Sequence, residues 1–96
     1  MLEESNDPQL VQLFKQGCRQ AFDEIINRYD QRLYQTAMAI LEDHGEARKI
    51  TEESFQHARQ TLHEFKNESL LLTWLCRILI NKANQKYRER LQQQQQ

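Results

Sequence analysis

Apolar residues recur along this chain at helical, not alternating, spacing. Between positions 19 and 41 they fall at Phe22, Ile25, Ile26, Tyr29, Leu33, Ala37, Ile40 and Leu41, in steps of 3, 1, 3, 4, 4, 3 and 1. That spacing predicts one long amphipathic helix, Arg19 to Leu41, with a single stripe turned to a core. A shorter helix, 8–16, precedes it. Asp7-Pro8 reads as an N-cap followed by proline, Leu10, Val11, Leu13 and Phe14 follow, and Gly17 supplies the stop. Gly45, in Glu42-Asp43-His44-Gly45, is expected to break the long helix. A third helix, 46–65, carries Ile50, Ser54, Phe55, Ala58, Leu62 and Phe65, a thinner stripe that Ser54 weakens. Polar Lys66-Asn67-Glu68-Ser69 follows, and Asn67 or Ser69 can cap a fourth helix, 70–91. The first half of that helix is apolar on most sides (Leu70, Leu71, Leu72, Trp74, Leu75, Ile78, Leu79, Ile80), so it is expected to be the most buried. Its second half is polar and basic. Gln92 to Gln96 has no apolar face and reads as a frayed end or the start of a linker.

Length and composition sharpen this picture. At 96 residues one domain is the limit, placed at 1–91 with a glutamine-rich tail, 92–96. Two Gly and one Pro are too few for the turns of a β fold, so the fold class is all-α, a four-helix domain. Phe22, Ile26, Leu33, Phe55, Leu62, Trp74, Leu75 and Ile78 are expected in its core. No apolar run approaches the roughly 18 residues of a membrane span. The opening Glu3 and Glu4 do not look like a signal peptide, which points to the cytoplasm. Cys18 and Cys76 form no Cys-x-x-Cys pair and are expected as thiols. His57 and His63 are six apart and face different ways, so with His44 and the cysteines they make no metal site. No cofactor is expected. No motif with a catalytic mechanism is present, and carboxylates beside basic neighbours, such as Asp30 with Arg32 and Glu46 with Arg48, read as solvated faces.

The net charge of -1 hides an uneven distribution. Residues 66–91 hold six basic side chains (Lys66, Arg77, Lys82, Lys86, Arg88, Arg90) against Glu68 and Glu89. The rest of the chain is acidic. Lys82, Lys86 and Arg90, spaced by four, line one helix face, with Asn81, Gln85 and Arg88 beside them and Trp74 and Arg77 upstream. Cations take phosphates, amides read base edges and aromatic rings stack bases, so this helix suits a strand of nucleic acid. An ordinary solvated helix end, its cations favoured by the helix dipole, has the same composition. Trp74, set among leucines, reads as core before stacking platform.

The segments Asp7-Pro8-Gln9-Leu10-Val11, Gly17, Ala21-Phe22-Asp23-Glu24-Ile25-Ile26-Asn27-Arg28-Tyr29 and Arg32-Leu33-Tyr34 resemble the opening of extracytoplasmic-function (ECF) sigma factors. Phe65-Lys66-Asn67-Glu68-Ser69, Thr73-Trp74-Leu75, Arg77-Ile78 and Asn81 resemble the stretch where a Phe-rich loop of that family leads into a Thr-Trp-Leu helix. The likeness covers about residues 7–91 and matches conserved region 2, an all-helical domain. It implies a transcription initiation factor domain that is not an enzyme. In that family the second and third helices dock on the coiled coil of the largest subunit of core RNA polymerase. The loop and fourth helix capture the promoter -10 element as single-stranded DNA and read flipped bases of the non-template strand. On this resemblance Lys66, Asn67, Glu68 and Ser69 form the loop, and Trp74, Arg77, Asn81 and Gln85 touch the strand. Arg32, Lys49, Glu52, Glu53 and Gln56 face polymerase. The charge argument adds Lys82 and Lys86 as phosphate contacts. An anti-sigma factor is a further partner the family allows.

The chain departs from the pattern at four positions. Lys49 stands where an Asp is usual, Glu52 where a Gln is, Arg59 for a common Trp and Cys76 for a common aromatic residue. A counterpart of the family's helix-turn-helix domain, which reads the -35 element, is not among these residues. Either the glutamine tract opens a linker toward it or the chain is a naturally short relative. The alternative reading is a sigma-like helical protein-interaction module without promoter activity.

Overall fold

The computed structural model describes residues 2–67 and 69–94. Among them every regular element is helical: a 3₁₀ turn at Leu2–Glu4, α1 (Asp7–Lys15), α2 (Arg19–Leu41), α3 (His44–Thr61), a 3₁₀ turn at Leu62–Glu64 and α4 (Leu71–Gln94). The all-α, four-helix expectation holds, and α2 has the predicted bounds.

Local chemistry sets the boundaries. Asn6, not Asp7, caps α1: its side chain accepts from the Gln9 N–H while Gln9 returns a bond to the Asn6 N–H, a reciprocal box. This releases Asp7 to accept from Tyr29 Oη and from Arg28, whose guanidinium also reaches Glu24 and the carbonyls of Leu2 and Glu3. Gly17 ends α1 at φ 104°, a conformation glycine adopts without strain. The α2–α3 corner is not made by Gly45. Glu42 takes the left-handed conformation at φ 53°, and Asp43 caps α3 by accepting from the Glu46 N–H, which leaves Gly45 inside the first turn. α3 ends at Thr61, short of Phe65, in the 3₁₀ turn. Neither Asn67 nor Ser69 is the boundary residue of α4: its first backbone bond runs from the Trp74 N–H to the Leu70 carbonyl at 3.1 Å. At its far end α4 continues through Gln94.

The core gathers Leu10 and Val11 of α1, Phe22, Ile25, Leu33 and Leu41 of α2, Ile50 and Phe55 of α3, Leu62, Phe65, and Leu71, Leu75 and Leu79 of α4. Phe22 meets Phe55 edge-on, centroids 6.5 Å apart, and packs tilted at 49° against Phe14 at 5.5 Å. Ile26, Trp74 and Ile78, expected in the core, are only half-buried against it. Ser54 and Thr51, by contrast, are fully buried. Each satisfies its hydroxyl on the carbonyl one turn back, Ile50 and Ala47, at 2.7 Å, so Ser54 does not weaken the stripe. α4 is not the most buried helix: α2 and α3 each bury six residues and α4 four, while Leu70 is 75% exposed. A 24-residue helix is about 36 Å long, and the molecule measures 51 × 22 × 20 Å.

The carboxylates read as solvated faces take partners across helix boundaries. Arg48 reaches across to Asp30 with two bonds, at 2.6 and 3.1 Å, and lies 5.0 Å from the centre of the Tyr34 ring. Glu46 instead pairs with Arg90. No helix among the described residues is long and apolar enough to cross a membrane.

Candidate nucleic-acid interface

The loop between α3 and α4 is tethered at its start. Lys15, in the last turn of α1, donates to the Phe65 carbonyl at 2.7 Å. The Phe65 ring is buried and packs on Trp74, centroids 5.3 Å apart and inclined at 46°. Trp74 is therefore part core and part surface, held at the junction of loop and helix. Beyond the tether the loop turns outward. Lys66, Asn67, Ser69 and Leu70 are exposed, and Asn67 adopts φ 58°, the left-handed conformation that Asn tolerates better than most residues. Glu68, assigned to the loop by resemblance, lies outside the described residues. Asn67, Ser69, Leu70 and Leu71 join Asp7 and Pro8 in lining a pocket of about 420 Å³, within the size range of small-molecule sites.

From that loop one stripe of α4 runs along the surface. Trp74, Arg77, Asn81, Gln85 and Arg88 follow in steps of three, four, four and three, so they share a face. Arg77, Asn81, Gln85 and Arg88 are exposed. This is an aromatic edge, two guanidiniums and two amides in a row beside a polar loop. Arg88 belongs to the stripe although sequence reasoning set it beside the lysines; its spacing from Trp74 was the available signal.

Lys82, Lys86 and Arg90 do not share that outer face. They continue the face of Leu75, Leu79 and Ala83, one turn after another, past the point where the apolar core ends. All three are half-buried. Arg90 is committed to structure: it donates to the Leu41 carbonyl at 2.8 Å and pairs with Glu46, tying α4 to the α2–α3 corner. Lys82 and Lys86 instead line a cleft of about 450 Å³ between α3 and α4.

The residues expected to face polymerase are split among three places. Glu52 and Gln56 line a groove between α2 and α3 with Phe22, Ile26, Asp30, Phe55 and Arg59. In it Arg59 lies 4.8 Å from the Phe22 ring centre and pairs with Asp23 at 3.5 Å. Lys49 and Glu53 face the other way, into the α3–α4 cleft with Lys82, Gln85 and Lys86. Arg32 stands apart from both, on the side of α2 next to α4. Burial pushes the Cys76 thiol pKa up there, and the nearby Arg32 charge partly pulls it back.

Curated proteins similar to this chain are sigma factors. Over 83 residues, 86% of the chain, it is 34% identical to the RNA polymerase sigma-H factor of Pseudomonas aeruginosa. Over the same share it is 30% identical to the ECF RNA polymerase sigma-E factor of Haemophilus influenzae and 29% identical to that of Escherichia coli. The chain spans 43% of the length of each of these relatives. No family model matches it, and no solved structure matches it.

Proposed function

The chain is a sigma factor region 2-like domain, and from that premise we propose that it acts in transcription initiation by binding, without catalysis, in the cytoplasm. Its two partners on this reading are core RNA polymerase and the promoter -10 element, held as a single non-template strand. The observation that carries the proposal is a stripe on α4, Trp74, Arg77, Asn81, Gln85 and Arg88, beside the exposed polar loop of Asn67 and Ser69. Unstacked bases need π faces and amide edges, and their phosphates need cations; this stripe offers all three in one line. The pocket lined by Asp7, Pro8, Asn67, Ser69, Leu70 and Leu71 is a suitable receptacle for a base swung out of the strand. Lys66 and the half-buried Lys82 and Lys86 serve the phosphates. The α2–α3 groove, with Glu52 and Gln56 on its rim and an apolar floor of Phe22, Ile26 and Phe55, is the proposed seat on the polymerase coiled coil.

Fluorescence anisotropy with a panel of single-stranded oligonucleotides, together with a mobility shift of core polymerase, tests this reading. The domain should prefer single strands to duplex, and affinity should fall with salt. Asn67→Ala and Asn81→Ala should erode preference for one sequence by about 1–3 kcal/mol per lost base contact, whereas Lys82→Ala should weaken all sequences alike. A domain that binds neither oligonucleotide nor polymerase would instead be an interaction module that has left promoter work.

A further inference from the structure

We propose that Lys49 is a DNA-phosphate contact: with Lys82 and Lys86 it makes the α3–α4 cleft a seat for the backbone of the strand read on the outer face of α4. The inference rests on the nucleic-acid reading above and extends it to a helix otherwise assigned to polymerase. Three observations carry it. First, Lys49 projects from α3 into the same 450 Å³ cleft as Lys82 and Lys86, so two elements bring three ammonium groups together. Second, none of the three is neutralised. Every ion pair among the described residues is made by an arginine, and neither Glu53 nor Glu89, which line the cleft, comes within ion-pair distance of these lysines. The third carboxylate of the cleft, Glu46, is taken by Arg90. Three unpaired cations thus face two unpaired carboxylates, and Glu89 already accepts from Gln85 at 3.5 Å. Third, the cleft joins the reading face. Gln85 belongs both to the outer stripe and to the cleft lining, so a strand following Trp74, Arg77 and Asn81 meets the lysines at the next turn.

Gathering like charges in one concavity is unfavourable until an anion enters, and a strand supplies phosphates at regular spacing. The cleft has no aromatic lining, so it would hold backbone and leave base reading to the outer face.

The test is a salt series of anisotropy titrations with the full chain and a labelled single-stranded oligonucleotide. Lys49→Ala should lower the slope of log affinity against log salt by about 0.7, the share of one phosphate on a single strand, as Lys82→Ala should. The loss should be the same for every sequence in the panel. Lys49 is exposed in a helix, so alanine there leaves the fold intact, and circular dichroism verifies this. Wild-type slope and affinity in Lys49→Ala, with both reduced in Lys82→Ala and Arg77→Ala, would overturn the role of Lys49 and leave the nucleic-acid reading standing. Unchanged DNA binding together with weakened polymerase binding would also overturn it and return Lys49 to the polymerase face. Absence of any oligonucleotide binding by the wild type at low salt would overturn the underlying reading itself.

Discussion

Asp7 shows how one side chain's role depends on its neighbour. Because Asn6 takes the cap, Asp7 is free to bind Tyr29 and Arg28, and so joins α1 to α2. Burial first, and the bond to Asp7 second, push the Tyr29 hydroxyl from 10.0 to about 12. A raised pKa means the protonated phenol is favoured by folding. Its contribution is complete below pH 10 and is lost as pH rises toward about 12. Tyr29→Phe should therefore cost about 1 kcal/mol near neutral pH, the worth of an ordinary hydrogen bond. That difference should shrink through the alkaline window, because the wild type alone loses the phenol proton. Urea denaturation of both proteins at neutral and alkaline pH measures it, and a gap that stays constant with pH would contradict the assignment.

At the scale of elements, the corner between α2 and α3 is the informative joint. A left-handed residue must reverse the chain after Leu41, and Glu42 fills that place at φ 53° although its Cβ is disfavoured there. Glu42→Gly should stabilise the domain by about 0.5–1 kcal/mol, read as a higher denaturation midpoint with unchanged m-value. Arg90 reaches the same corner from α4 through the Leu41 carbonyl and Glu46. These bonds tie the second half of α4, beyond Ala83, its last buried residue, to the corner that borders the lysine cleft.

For the molecule as a whole, the α3–α4 loop and the core are one mechanical unit. Lys15 from α1 holds the Phe65 carbonyl and Phe65 holds Trp74, so the loop's position depends on the packed bundle beneath it. Phe65→Ala should cost about 3 kcal/mol by cavity formation. It should also shift Trp74 emission to the red and weaken oligonucleotide binding, measured at a temperature where circular dichroism shows the helices intact. Normal oligonucleotide affinity in that variant would mean that the loop is positioned independently of Phe65. The arrangement leaves two open sides, the α2–α3 groove and the loop with α4, which on the proposed function would take polymerase and a strand respectively.

Helix type, number and the long span of α2 were legible from spacing alone, because an apolar stripe at 3.6 residues per turn has one stable use in water. The uneven charge singled out α4 and the loop before it, the elements on which the proposed interface is built. The rotational phase of α4 was not legible. Its first half is apolar on most sides, so the pattern could not say that Leu71, Leu75, Leu79 and Ala83 face inward. Only packing against α2 and α3 chose them, and that choice turned Lys82 and Lys86 into the cleft while leaving Arg77, Asn81 and Arg88 outside. The same holds for the ion pairs. Neighbours in sequence such as Glu46 and Arg48 were separated because each found a better partner across a helix boundary, Arg90 and Asp30. Periodicity is a local property and survives in the sequence; phase and pairing between helices arise from contacts that no single segment contains, so only the tertiary structure decided them.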